Sequence, residues 1–132
     1  MYLLDTNICI YAMKNKYPVL TEKLFQVFPS EIFISIITLG ELEYSCVKSN
    51  CGDRSRAIMQ TFISAYTVLP FDENDALVFA RLRAATEKKG KMPGPYDLQI
   101  ASQGIARRLT IVTHNVSDFS RIPGAIIEDW TM

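Results

Sequence analysis

Residues 2–8 read Tyr2-Leu3-Leu4-Asp5-Thr6-Asn7-Ile8, an apolar triplet that runs directly into three polar side chains. Three consecutive apolar residues indicate a short buried strand. Thr6 and Asn7 are side chains that cap helix N-termini, so we predict that a helix follows at once and runs to about Met13. Asp5 then lies at the carboxyl end of a strand, where open α/β sheets build their ligand sites.

The same order of strand and then helix recurs along the chain. Further strands are predicted at residues 32–35, 66–71, 110–113 and 125–127, and further helices at residues 38–48, 54–65, 72–89 and 96–108, with one more starting near Pro18. Thr38 and Glu41 have the spacing of a capping box, and Asp72 is predicted to cap the long helix. The alternation predicts an α/β fold in which helices flank a mostly parallel sheet of four to five strands.

Length and composition predict one folded domain over residues 1–132. The chain is 48% apolar and 21% charged, with no formal net charge, which argues against disorder and against non-specific coating of nucleic acid. No apolar run approaches the roughly 20 residues of a membrane span, and no export signal precedes the first strand. We therefore expect a cytoplasmic protein without a membrane partner. The three cysteines lack CxxC spacing and are predicted to be free thiols.

Four acids, Asp5, Glu41, Asp97 and Asp118, stand next to predicted strand ends or helix starts. Taken singly, most are also explained as first-turn acids that complement a helix dipole. Taken together, they predict one acidic pocket. Two carboxylates about 4 Å apart repel by about 4 kcal/mol at an effective dielectric near 20, so such a cluster must bind protons or cations.

A hard divalent cation is the natural partner of an all-oxygen cluster. Mg²⁺ or Mn²⁺ is the expected cofactor, and Mg²⁺ usually takes only one or two carboxylates directly. Attack of a metal-activated water on a phosphodiester is the chemistry that such a site best supports. Neutral side chains nearby would orient the acids, and the candidates are Thr6, Asn7, Thr113 and Asn115.

Four blocks of the sequence resemble the PIN-domain ribonucleases, and within them the VapC-like toxins of type II toxin–antitoxin systems. The blocks appear in the family's order and span nearly the whole chain. They are Tyr2-Leu3-Leu4-Asp5-Thr6-Asn7-Ile8, Ser35-Ile36-Ile37-Thr38-Leu39-Gly40-Glu41-Leu42, Gly94-Pro95-Tyr96-Asp97-Leu98-Gln99-Ile100-Ala101 and Val112-Thr113-His114-Asn115-Val116-Ser117-Asp118-Phe119.

The resemblance implies a PIN-like domain in which Asp5, Glu41, Asp97 and Asp118 are catalytic and in which Asp5 and Asp97 bind Mg²⁺ or Mn²⁺ directly. It also implies endonucleolytic cleavage of RNA, often at a tRNA anticodon stem-loop, and inhibition by a cognate antitoxin. A homodimer is expected as well. Many PIN domains carry an acid where Asn115 stands, so the sequence leaves open whether Asp118 or Asn115 completes the site.

Basic and aromatic residues near these blocks are candidate RNA contacts. Lys88, Lys89 and Lys91 form the basic end of the long helix and could bind phosphates, although a solvated helix terminus explains them equally. Tyr96 could stack on a base, or simply pack.

Two other functions remain open at this level. An aspartyl-nucleophile phosphatase would also place an Asp after a strand, but it usually has a second Asp where Asn7 stands. A non-catalytic PIN-like scaffold that binds RNA or protein would use the acids only as helix caps.

Overall fold

The computed structural model describes residues 1–90 and 92–132. Within these residues, five strands form one sheet in the order β3-β2-β1-β4-β5, and every neighbouring pair is parallel. In chain order the elements are β1 (Tyr2–Leu4), α1 (Thr6–Met13), α2 (Pro18–Gln26), β2 (Ile32–Ser35), α3 (Ile36–Ser49), α4 (Asp53–Ser64), β3 (Thr67–Leu69), α5 (Glu73–Lys88), α6 (Pro95–Ala106), β4 (Thr110–Val112), α7 (Val116–Phe119) and β5 (Ile126–Glu128). The α/β fold with a parallel sheet is therefore confirmed.

The strand order changes direction at the centre of the sheet. The chain builds β1, β2 and β3 toward one edge and then returns to place β4 on the other side of β1. Leu4 is in register with Ile34 of β2 and Val112 of β4. A ligand site in such a sheet lies outside the carboxyl ends of the strands at this switch point, which here is the gap after β1 and β4.

Alternating side chains of the strands build a core on each face of the sheet. Leu4, Ile34 and Val112 pack with residues from α1, α2 and α4. Leu3 packs on the opposite face with Ile100 of α6. These side chains are fully buried, so the central strands are held from both sides, and the loops after β1 and β4 have a rigid base.

Two helix starts differ from prediction, and both differences concern the site. The carboxylate of Asp5 itself caps α1 by accepting a hydrogen bond from the Ile8 N–H at 2.8 Å; Thr6 and Asn7 lie inside the helix. Helix α3 begins at Ile36, because the Ser35 hydroxyl accepts from the Ile37 N–H at 2.9 Å directly after β2. The predicted capping box at Thr38 was therefore wrong, since Thr38 already lies in the helix.

The prediction of three free thiols was wrong for Cys46 and Cys51, which the structure pairs as a disulfide with Cα atoms 4.9 Å apart. Asn50 adopts the left-handed conformation at φ 52° and turns the chain back at the end of α3. The Cys51 N–H consequently bonds to the Cys46 carbonyl at 2.9 Å. Cys9 is free and buried.

The remaining elements agree closely with prediction. Asp72 caps α5, and Asp75 completes a capping box there. The last strand lies one residue later than predicted, and the short α7 was not predicted. Among residues 1–90 and 92–132, no helix is both long and apolar enough to span a bilayer.

Candidate active site

Asp5 and Thr113 mark the site, because each directly follows one of the two strands at the switch point. The Asp5 N–H bonds to the Val112 carbonyl at 3.0 Å, and the Thr113 N–H bonds to the carbonyl of Glu128 on β5 at the same distance. Both side chains are nearly inaccessible to solvent, at 3% and 0% exposure. These backbone hydrogen bonds therefore fix the positions of Asp5 and Thr113 at the carboxyl ends of β1 and β4.

The Asp5 carboxyl is held in an environment that disfavours its charge. Burial raises its pKa from the usual value near 3.8 to about 6, and the charges of Asp97 and Glu41 add to the rise. The Thr113 side chain and the Ile8 N–H act in the opposite direction and lower the pKa, and the hydrogen bond from the Ile8 N–H fixes the orientation of the carboxyl group. Asp5 is thus rigidly placed and close to two other acids that come from distant parts of the chain.

Glu41 enters the site from the second turn of α3. The Thr6 hydroxyl donates a hydrogen bond to its Oε1 at 2.7 Å and lies 3.0 Å from the Thr38 hydroxyl. Thr38 is fully buried. Thr6, which was predicted to orient an acid of the site, thus links the first turn of α1 to Glu41 on α3. Thr38 was missed as a site residue, because its spacing from Glu41 was interpreted as a helix cap.

Asp97 completes the link between the two halves of the chain. It lies in the first turn of α6, and its pKa is raised by burial and then by the charges of Glu41 and Asp118. The charges of Asp97 and Glu41 raise the pKa of Asp5, and the charges of Glu41 and Asp118 raise the pKa of Asp97. All four predicted acids therefore belong to one electrostatic cluster.

Asp118 and Asn115 reach the cluster together. The Asn115 Nδ2 donates to Asp118 Oδ2 at 2.9 Å, and the Asn115 backbone N–H donates to the Thr113 hydroxyl at 3.0 Å. Because the Thr113 side chain also lowers the pKa of Asp5, Thr113 lies between the first acid and the last. In this arrangement the carboxylate comes from Asp118 and Asn115 positions it.

The cluster concentrates negative charge. In the part of the chain that the structure describes, the ion pairs involve none of the four acids. Within the same residues, no group of three or more His, Cys, Asp or Glu side chains is arranged as a ready-made metal site. The donor atoms are carboxylate, hydroxyl and amide oxygens, which fits the chemistry that Mg²⁺ and Mn²⁺ prefer.

A cleft of about 790 Å³ opens beside the acids between α1 and α3. Thr6, Asn7 and Glu41 line it together with Tyr44 and Tyr96. Asn7 is exposed to solvent on the wall of this cleft. Tyr44 was not predicted as a site residue, because an exposed helical tyrosine has no motif of its own.

Lys88 and Lys89, two of the basic candidate RNA contacts, do not line this cleft. Lys88 and Lys89 are exposed at the end of α5, and their contact with RNA stays a prediction. Lys91 lies outside the described residues.

Comparison with known proteins agrees with this geometry. The model of the PIN domain family matches residues 2–125. The tRNA(fMet)-specific endonuclease VapC of Salmonella typhimurium strain LT2 is 43% identical over 129 residues, which is 98% of this chain and 97% of that protein.

Two solved structures share the fold over almost the full length. The DNA-bound VapBC structure from Salmonella typhimurium superposes with a TM-score of 0.91 at 43% identity, covering 98% of this chain and 97% of that chain. VapBC2 from Rickettsia felis, bound to a DNA fragment from its promoter, gives 0.91 at 35% identity and 98% coverage of both chains. The chain therefore belongs to the PIN-domain family and, within it, to the VapC ribonucleases.

Proposed function

We propose that this protein is a Mg²⁺- or Mn²⁺-dependent endoribonuclease toxin that cleaves tRNA and is neutralised by a cognate antitoxin. The observation that carries the proposal is the acidic cluster at the switch point of the sheet, in a chain that is 43% identical to a tRNA(fMet)-specific endonuclease. Carboxylates that raise one another's pKa without a basic partner favour the binding of a cation.

Asp5 and Asp97 are the proposed direct ligands, with Glu41 and Asp118 acting through water. When bound, the divalent cation supplies Lewis-acid charge that promotes attack of water on the phosphodiester. The Ile8 N–H holds Asp5 in one orientation, and Thr6 does the same for Glu41. Such outer contacts usually decide whether the ligands are ready for the metal.

The relatives support the remaining parts of the proposal. The name of the Salmonella typhimurium relative specifies tRNA(fMet), and the anticodon stem-loop is the part of tRNA that we expect to be cut. The matched structures are VapBC toxin–antitoxin complexes, which supports an antitoxin partner. We also propose a homodimer, since Phe25 in the last turn of α2 and Phe28 just after that helix are 88% and 75% exposed and would gain from burial against a second copy.

The experiment compares the purified protein with Asp5→Asn on defined tRNAs, with Mg²⁺ and with EDTA, and maps the cut positions. Asp53→Asn is the matched control, because Asp53 is an exposed acid in the first turn of α4. We expect specific cleavage by the wild type and by Asp53→Asn in Mg²⁺, and none by Asp5→Asn or in EDTA.

A nuclease contaminant would cut equally in all three preparations. Full cleavage by Asp5→Asn would contradict the proposed role of the cluster. Absence of cleavage by the wild type, together with RNA binding, would favour the non-catalytic scaffold.

A further inference from the structure

The cleft beside the acids combines an apolar floor with exposed aromatic rings. Ile10, Ile36 and Ile37 line it, while Tyr44 and Tyr96 are 62% and 55% exposed. Its volume of about 790 Å³ is within the range of about 300–1,000 Å³ that small-ligand sites occupy. The acids alone do not need an apolar and aromatic surface beside them. This surface therefore indicates that the cleft binds a second chemical group of the ligand.

The cleft lies next to the acids, where the scissile phosphate is proposed to bind. Glu41 and Thr6 belong both to the acidic cluster and to the wall of the cleft. Tyr44 follows Glu41 by three residues on α3, about 4.5 Å further along the helix axis. A group that is covalently attached to a phosphate at the acids therefore reaches the Tyr44 ring.

The charge next to the ring suits a nucleotide. The Lys48 Nζ lies 5.8 Å from the centroid of the Tyr44 ring, in the range of a cation–π contact. Unpaired bases bind proteins by stacking on aromatic side chains, and a nearby cation can meet the adjoining phosphate. A base in a duplex would have both faces covered by its neighbours.

We propose that the cleft between α1 and α3 is a base pocket, in which an unpaired nucleobase next to the scissile phosphate stacks on Tyr44 and is bounded by Tyr96. This proposal rests on the proposed ribonuclease function and goes further, because it makes the enzyme require a splayed nucleotide beside the cut. Tyr44 and Tyr96 then contribute to substrate affinity and selection, while the acids carry the chemistry.

The test measures binding in EDTA, so that it does not depend on cleavage. The probe is a fluorescently labelled tRNA(fMet) anticodon stem-loop, together with versions in which each loop nucleotide in turn is abasic. For the wild type, we expect one abasic position to weaken binding by about 5-fold to 150-fold, the range for stacking of one base on an aromatic ring. Tyr44→Ala should weaken binding of the intact loop by a similar factor and lose sensitivity to that position, whereas Tyr44→Phe should bind like the wild type.

Two further variants separate the pocket from general effects. Val47→Ala is the matched control, since Val47 is a 72% exposed residue of the same helix that does not line the cleft, and its affinity should equal that of the wild type. Gly40→Leu should narrow the pocket, because Gly40 lines it and a Cβ at this position meets no heavy atom within 4 Å. If Gly40→Leu binds RNA more weakly but is as stable as the wild type, misfolding is excluded as the cause of the weaker binding.

Equal affinity of the wild type, Tyr44→Ala and Gly40→Leu would overturn the base pocket, and the cleft would then be available to a protein segment instead. The base pocket would also be overturned if the abasic position weakened binding by the same factor in the wild type and in Tyr44→Ala. Failure of the ribonuclease proposal is distinguishable, because the wild type would then leave tRNA intact in Mg²⁺ whatever the binding data show.

Discussion

Replacing Asp5 with Asn should stabilise the metal-free protein at neutral pH, although it removes a proposed catalytic ligand. The Asp5 carboxyl is 3% exposed, and its pKa is raised to about 6, by burial first and by Asp97 and Glu41 in addition. A rise from 3.8 to about 6 corresponds to about 3 kcal/mol of unfavourable free energy in the charged form. Asn is nearly isosteric, carries no charge and can still accept the Ile8 N–H.

The net gain is smaller than this figure, because hydrogen bonds to a neutral amide are weaker than those to a carboxylate. We therefore expect Asp5→Asn to raise the free energy of unfolding by about 1–3 kcal/mol at pH 7.5 in EDTA. The pKa of Asp5 is higher in the folded than in the unfolded state. Its protonated form thus contributes stability that is complete below about pH 3.8 and lost as the pH rises through about 6. The advantage of the variant should accordingly vanish near pH 4.

Urea denaturation between pH 4 and pH 8, followed by the fluorescence of Trp130, measures this difference. Trp130 is the single tryptophan and is 2% exposed, so unfolding changes its environment completely. Asp53→Asn should show no such pH-dependent gain. The reasoning is refuted if Asp5→Asn is less stable than the wild type at pH 7.5, or if its effect is the same at pH 4 and pH 7.5.

Three further predictions test other parts of the structure. Gly40→Ala should add about 0.5–1 kcal/mol to the free energy of unfolding, since Gly40 lies inside α3 with space for a Cβ; a loss of stability in urea would contradict this. Arg107→Ala should cost about 3–5 kcal/mol, because it leaves the carboxylate of Asp75, which is fully buried, without its cation. Arg83→Ala opens only an exposed ion pair and should change stability by less than about 1 kcal/mol, so equal effects of the two would disprove the explanation. Thr6→Val should weaken Mn²⁺ binding or cleavage by about 10- to 100-fold, as is usual for an outer contact of a metal ligand, while Thr6→Ser should retain both.

The fold was largely predictable because its signals are local. Tyr2–Leu4 and Ile32–Ser35 are short apolar runs between amphipathic segments, and such alternation permits few arrangements other than a parallel sheet. The start of α3 was not predictable, since Ser35 is at once the last residue of β2 and the cap of the helix. Helix α7 has only four residues, too few to show a helical period.

The residues of the site could be predicted from the sequence, but the contacts between them could not. The position of Asp5 after β1 identified the end of the sheet, but no pattern in the sequence shows that Thr6 bonds to Glu41 or that Asn115 holds Asp118. These contacts join residues on separate elements or depend on side-chain rotamers. The importance of Tyr44 likewise depends on the cleft between two helices, which exists only after folding.

Titration with Mn²⁺ of the wild type, Asp5→Asn, Asp97→Asn and Asp53→Asn, monitored by calorimetry or by the EPR signal of the free ion, tests the convergence of the acids most directly. Residues 5 and 97 are far apart in the sequence, and only a shared site makes the ion sensitive to both. We expect the wild type and Asp53→Asn to bind Mn²⁺ with equal affinity, and Asp5→Asn and Asp97→Asn each to bind at least about 10-fold more weakly. Equal binding by all four proteins, or no binding by the wild type, would contradict a metal site built from this cluster.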